Sequence, residues 1–226
     1  MKLPVFLAAM VVAVQIPVQA EEIKPITTNA EKFSYGIGLQ IGQQLLKQGL
    51  SGADPRVIAI AIDDVLKGNE LRVTMEEMQV AATAYQNELN AEKLAAGEKN
   101  KTAGEIFLKE NSTREGVVVL DSGVQYRIVK PGAGGSPTET DTVVVHYRGR
   151  LLNGSEFDSS YERGQPAELV VGQVIPGWQQ ALQLMPVGSK WEVWIPAALA
   201  YGAQGAGSIG PNETLHFDIE LMEIKG

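Results

Sequence analysis

The sequence predicts an α+β protein in two parts: a helical N-terminal half ending in one long helix, then an antiparallel sheet wrapped over one short helix. Three observations carry this. Across residues 32–111 the apolar side chains recur three and four apart, the spacing of one helix face. From Gly116 onward, short runs rich in β-branched and aromatic residues are punctuated by Gly and Pro. Within that second half only one segment reads as helix, from Pro176 through Trp178 to about Leu184, and Pro186 stops it.

Phe33, Ile37, Ile41, Leu45 and Leu46 place a first helix that Gly49 closes. Asp54-Pro55 starts a second, because Asp accepts orphan N–H bonds and Pro suits the first turn. Val57, Ile58, Ala61, Ile62 and Leu66 form its apolar face, and Gly68 ends it. Thr74 with Glu77 makes a capping box for a third helix striped with Met75, Met78, Ala82, Tyr85 and Leu89. Beyond Leu89 charged residues dominate. A helix continuing to Asn111 would run about 50 Å at 1.5 Å per residue. Gly97 and Gly104 each weaken it by about 1 kcal/mol relative to Ala, which leaves a continuous or a hinged helix open. Short helices with so few aromatics build a thin core, and pairing with a second copy is the expected remedy. A self-contained three-helix packing is the alternative.

In the second half, residues 116–120 and 124–129 flank the turn Asp121-Ser122-Gly123 as a hairpin. Residues 142–148 read as a strand with a buried apolar face, followed by the turn signal Asn153-Gly154. Residues 169–171, 190–195 and 214–224 supply further strands.

Composition excludes several chemistries. The net charge of −8 and the absence of Lys/Arg clusters argue against a nucleic-acid partner. With no cysteine there are no disulfides, thiol nucleophiles, thiolate metal sites or lipid attachment through an N-terminal Cys. The two histidines, His146 and His216, sit in predicted strands without a carboxylate-rich cluster, so no metal and no cofactor is expected. Ser155, Ser159 and Ser160 have neither a nucleophile elbow nor a base. Residues 1–20 have the layout of a secretory signal: Lys2, an apolar run, then Val18-Gln19-Ala20 as a cleavage site. The run is too short for a membrane span and is interrupted by Gln15 and Pro17. The expected location is the periplasm of a Gram-negative bacterium, with outer-membrane association and secretion left open.

What remains is an apolar collection with scattered polar handles: Tyr147, Phe157-Asp158, Val174-Ile175, Trp178, Tyr201, Ile209 and Phe217. Each alone reads as core. Five motifs set them in order: Val145-His146-Tyr147-Arg148-Gly149, Gly154-Ser155-Glu156-Phe157-Asp158-Ser159-Ser160, Val174-Ile175-Pro176-Gly177-Trp178, the stretch 196–202 ending in Tyr201-Gly202, and 215–220. That order, over about 110 residues from near Gly116 to the C-terminus, resembles the FKBP-type peptidyl-prolyl cis-trans isomerases. The helical half, with Ser34-Tyr35-Gly36-Ile37-Gly38 and a long connecting helix, resembles the dimerisation domain of the macrophage infectivity potentiator group.

The resemblance implies residues 21–111 as a dimerisation domain and 112–226 as an isomerase domain, its sheet a half-barrel over the helix bearing Trp178. It implies Trp178 as the floor for a proline ring, and Tyr147, Phe157, Val174, Ile175, Ile209 and Phe217 as walls. The Ile175 N–H and the Tyr201 hydroxyl would hold substrate carbonyls, and Asp158 would be an electrostatic, positioning group. The implied partners are proline-containing, unfolded or partly folded exported proteins, a second copy of the chain, and macrolide inhibitors. Residues 166–171 lack the aromatic usual in the family, so Leu169 is expected in its place, which bears on macrolide affinity. The rival reading is a holdase chaperone whose helical cradle grips clients, with isomerisation secondary.

Overall fold

The computed structural model describes residues 25–225; the secretory-signal segment lies outside them. The chain forms two compact units, dividing between Val73 and Thr74.

The first unit holds α1 (Asn29–Lys47) and α2 (Pro55–Lys67). Thr28 caps α1 in a capping box with Glu31, just before the apolar stripe begins at Phe33. Asp54 caps α2, Pro55 opens it, and Gly68 ends it in the left-handed conformation. Asp64 at the end of α2 is buried and holds the following turn, accepting from Arg72 Nε at 2.7 Å and Asn69 Nδ2 at 3.0 Å. Neither helix buries its apolar face within this unit. Phe33 is 73% exposed and Leu66 80%, and α1 contains no buried residue.

The second unit begins with α3 (Met75–Asn111), a single unbroken helix of 37 residues. Seven strands follow: β1 (Val117–Val119), β2 (Gln125–Lys130), β3 (Thr142–Leu151), β4 (Glu156–Ser159), β5 (Ala167–Val170), β6 (Lys190–Ile195) and β7 (Leu215–Lys225), with α4 (Pro176–Leu182) between β5 and β6. The order in the sheet is β1-β2-β6-β7-β3-β4, with β5 also on β3, and every pairing is antiparallel. Alternation sends Val143, Val145 and Tyr147 of β3, Trp191, Val193 and Ile195 of β6, and Leu215, Phe217, Ile219 and Leu221 of β7 into one core with Trp178, Ala181 and Leu182 of α4. Gly177 brings α4 close to the sheet, because a Cβ there would overlap the Ile195 side chain. The α+β expectation and its element order therefore hold. Strand β4, which follows the Asn153-Gly154 turn, is a further element paired to β3.

Helix α3 does not leave the sheet as a free stalk. Gly97, Asn100, Gly104 and Asn111 lie on one face at helical spacing, and that face meets the sheet unit. Asn100 Nδ2 donates to the Pro211 carbonyl at 3.0 Å, and Asn111 Nδ2 to Gln125 Oε1 at 2.9 Å. A Cβ at Gly104 would collide with Thr214 Oγ1. The glycines are points of close approach in a continuous helix and not a break.

Candidate active site

A cleft of about 310 Å³ opens between α4 and the sheet, lined by Tyr147, Phe157, Asp158, Leu169, Gln173, Val174, Ile175, Trp178, Tyr201 and Phe217. Its floor is the Trp178 indole, only 4% exposed. Tyr147 and Phe217 both meet that ring edge-on, with centroids 5.2 Å away and planes within two degrees of perpendicular. Phe157 meets Phe217 likewise at 5.6 Å. Such edge-to-face contacts fix ring orientation beyond what area burial supplies. Gly149 makes room: a Cβ there would stand 2.6 Å from the Phe157 ring and 2.7 Å from Phe217.

Each wall has a local reason for its position. Phe157 and Asp158 sit on β4, and the chain beyond is tied back by Ser160, whose Oγ accepts from the Tyr147 N–H at 2.8 Å. Val174 and Ile175 lie between a one-turn 3-10 helix (Val171–Gln173) and α4. Gln179 steadies them by donating to the Val174 carbonyl at 2.8 Å. Ile175 is the N-cap of α4 and Pro176 its first residue, so the helix start faces the cleft.

The polar edge is a three-residue network. The Tyr147 hydroxyl and the Arg163 guanidinium both donate to the Asp158 carboxylate, and Arg163 Nη2 also donates to the Tyr147 hydroxyl at 2.8 Å. The Arg163 guanidinium carbon stands 5.4 Å from the Tyr147 ring centre. Burial pushes the Asp158 carboxyl up, but the Tyr147 and Arg163 hydrogen bonds outweigh it and leave it below its ordinary value. Burial and the bond to Asp158 raise the Tyr147 phenol. An ionised, doubly hydrogen-bonded Asp158 is a poor proton acceptor.

Eight of the nine expected site residues line the cleft. Ile209 is the ninth. It is buried, 7% exposed, in the core cluster, and it does not line the cleft. A short bridge between Ala206 and Ile209 turns the loop so that this side chain plugs the core. Leu169 stands in the wall where an aromatic was missing. Gln173 and Arg163 were not found in the sequence: neither belongs to an apolar pattern. Elsewhere, Glu192, His216 and Asp218 lie together on the sheet, but Glu192 pairs with Arg127 and Asp218 with Arg150, so these charges are internally matched.

An antiparallel sheet packed on one short helix, with a cleft lined mostly by aromatic and aliphatic side chains between them, defines an α+β domain with one polar edge to that cleft. Comparison with known proteins supplies the family. Residues 134–222 match the model of the FKBP-type peptidyl-prolyl cis-trans isomerases, and residues 30–128 match the domain amino-terminal to them. The chain is 43% identical to the outer membrane protein MIP of Legionella longbeachae, over 96% of this chain and 95% of that one. It is 47% identical to the FKBP-type 22 kDa peptidyl-prolyl cis-trans isomerase of Escherichia coli, over 84% and 93%. Its structure resembles the crystal structure of FkpA from Escherichia coli, with a TM-score of 0.63 at 30% identity over 89% of this chain and 99% of that one. The chain belongs to the FKBP-type peptidyl-prolyl cis-trans isomerases and has their activity.

Proposed function

We propose that the chain accelerates X–Pro isomerisation in exported proteins by holding the twisted imide in the Trp178 cleft without covalent or acid–base chemistry. One observation carries this reading: Asp158, the one carboxylate among the described residues that line the cleft, is already engaged by Arg163 and Tyr147. Rotation about the X–Pro bond must break amide resonance, at a cost of roughly 18–20 kcal/mol for an ordinary peptide bond. The twisted form has lost charge separation between nitrogen and oxygen, so a dry aromatic cleft favours it over the planar amide. Trp178 would seat the proline ring, with Tyr147, Phe157, Val174 and Phe217 around it. The Ile175 N–H and the Tyr201 hydroxyl would hold the flanking carbonyls, and Asp158 would set the polar edge. Ile209 would act from behind, as core.

The test is cis-to-trans exchange of a Leu-Pro peptide by the mature chain beside an Asp158→Ala, Tyr201→Phe double variant. The expected result is acceleration that the double variant largely loses. Equal rates in both proteins would remove the assignment of these residues.

On this reading residues 112–226 isomerise and residues 21–111 pair two chains. The exposed apolar faces of α1 and α2, and the amino-terminal family domain that contains them, support a homodimer. Light scattering should give twice the chain mass, and a monomer mass would end that part of the proposal. Export is supported by residues 1–20 and by the outer-membrane name of a relative; cell fractionation tests it. The same exposed faces favour a second reading, client holding by the helical half. If residues 21–111 suppress aggregation as well as the full chain, holding gains over isomerisation as the main role.

A further inference from the structure

Residues 202–212, which follow Tyr201, contain four glycines, and three of these, Gly202, Gly205 and Gly207, have positive φ. Such a segment has high conformational entropy and needs external ties to hold one shape. Its own bonds are few: Gly205 N–H to the Tyr201 carbonyl at 3.2 Å, the Ala206–Ile209 pair at 2.9 Å each way, and Asn212 N–H to the Gly202 carbonyl at 2.8 Å. The last of these closes the loop directly beside Tyr201. Asn212 is also the one non-glycine residue with positive φ among the described residues, at 54°.

The ties come from α3. Asn100 Nδ2 donates to the Pro211 carbonyl at 3.0 Å, and Asn212 Nδ2 donates back to the Gly97 carbonyl at 3.3 Å. Lys93 Nζ reaches Gln204 Oε1 at 3.4 Å. A Cβ on Gly97 would lie 3.2 Å from Asn212 Nδ2 and 3.3 Å from Pro211 Cβ, so the helix touches the loop base with no side chain between. Positions 93, 97, 100 and 104 are spaced four, three and four apart, a single helical stripe.

We propose that α3 positions Tyr201 in the cleft through Asn100 and Asn212, which clamp the base of the 202–212 loop. Asn100 and Asn212 are positioning residues. Neither lines the cleft, and both act through the loop closure next to Tyr201. The inference rests on the reading of Tyr201 as a substrate-contacting group.

The experiment uses the full chain carrying Asn100→Asp, which keeps the shape but removes the donor, and Asn100→Ala beside it. In both, amide exchange at Gly205, Ala206 and Asn212 should speed about tenfold while β3 amides stay unchanged. The kcat/KM for a Leu-Pro peptide should fall about fivefold, what one lost hydrogen bond is worth. In a Tyr201→Phe background the same substitutions should cost nothing further, since the group being positioned is gone. Unchanged loop exchange, or an equal fivefold loss in the Tyr201→Phe background, overturns the proposal. If Tyr201→Phe alone leaves kcat/KM intact, the reading of Tyr201 fails, and the exchange rates still decide whether α3 holds the loop.

Discussion

Asp158 has two hydrogen-bond donors, and the balance between burial and those donors decides its behaviour. Its carboxyl lies below the ordinary value, so it stays ionised through the range where an Asp near 3.9 would begin to titrate. The kcat/KM of the native protein should therefore be flat down to about pH 5. Arg163→Ala removes one donor and its charge, so the acid limb should move to higher pH; an unmoved limb would detach Arg163 from the site. Trp178→Ala empties the floor and should cost about 3–5 kcal/mol in urea unfolding along with activity. Most of this cleft was legible in the sequence because ordered motifs carry its rings. Arg163 was not, since an exposed Arg in a turn has no periodicity to mark it. Ile209 lies buried in the core cluster beside a two-residue bridge that no local pattern announces.

Helix α3 shows the same limit one level up. Its start was readable from Thr74 and Glu77, whose capping box is present, while the sequence left its run to Asn111 open as continuous or hinged. What Gly97 and Gly104 do was not, because a glycine in sequence looks alike whether it bends a helix or admits a neighbour. In an exposed helix Gly→Ala gains about 0.5–1 kcal/mol. Gly104→Ala should instead destabilise the sheet unit, by about 1–3 kcal/mol, through overlap with Thr214. Chemical denaturation followed by tryptophan fluorescence reads this directly, and a gain in stability would show the seam to be loose. The ends of β4 and the one-turn helix before α4 were obscure for a different reason: they are shorter than the window in which a period can be counted.

Across the whole chain, two dependences follow. His216 is largely buried against Trp194, rings stacked with centroids 5.1 Å apart, and faces Asp218, Glu192, Arg150 and Arg114. Burial pushes its imidazole below the ordinary value despite the nearby carboxylates. The unfolded chain then binds more protons than the native one below about pH 6.5, so stability is full above that pH and falls as pH drops towards the folded value. A His216→Phe variant should lose that slope in melts taken from pH 7 to 5. The helices of the first unit bury little of their own surface. If two copies share it, their melting should rise with protein concentration, by about 1.4 kcal/mol of apparent stability per tenfold.

The Arg163–Asp158 pair has a further consequence for how the cleft meets its surroundings. The molecule carries a net charge of −8, yet the one anion at the cleft is cancelled where it stands. The binding surface is thus an electrically quiet spot on an acidic body. Ionic strength, which governs long-range attraction and repulsion between charged proteins, has little hold there. If exported proteins are its substrates, as proposed, basic and acidic clients should meet the cleft on nearly equal terms once contact is made.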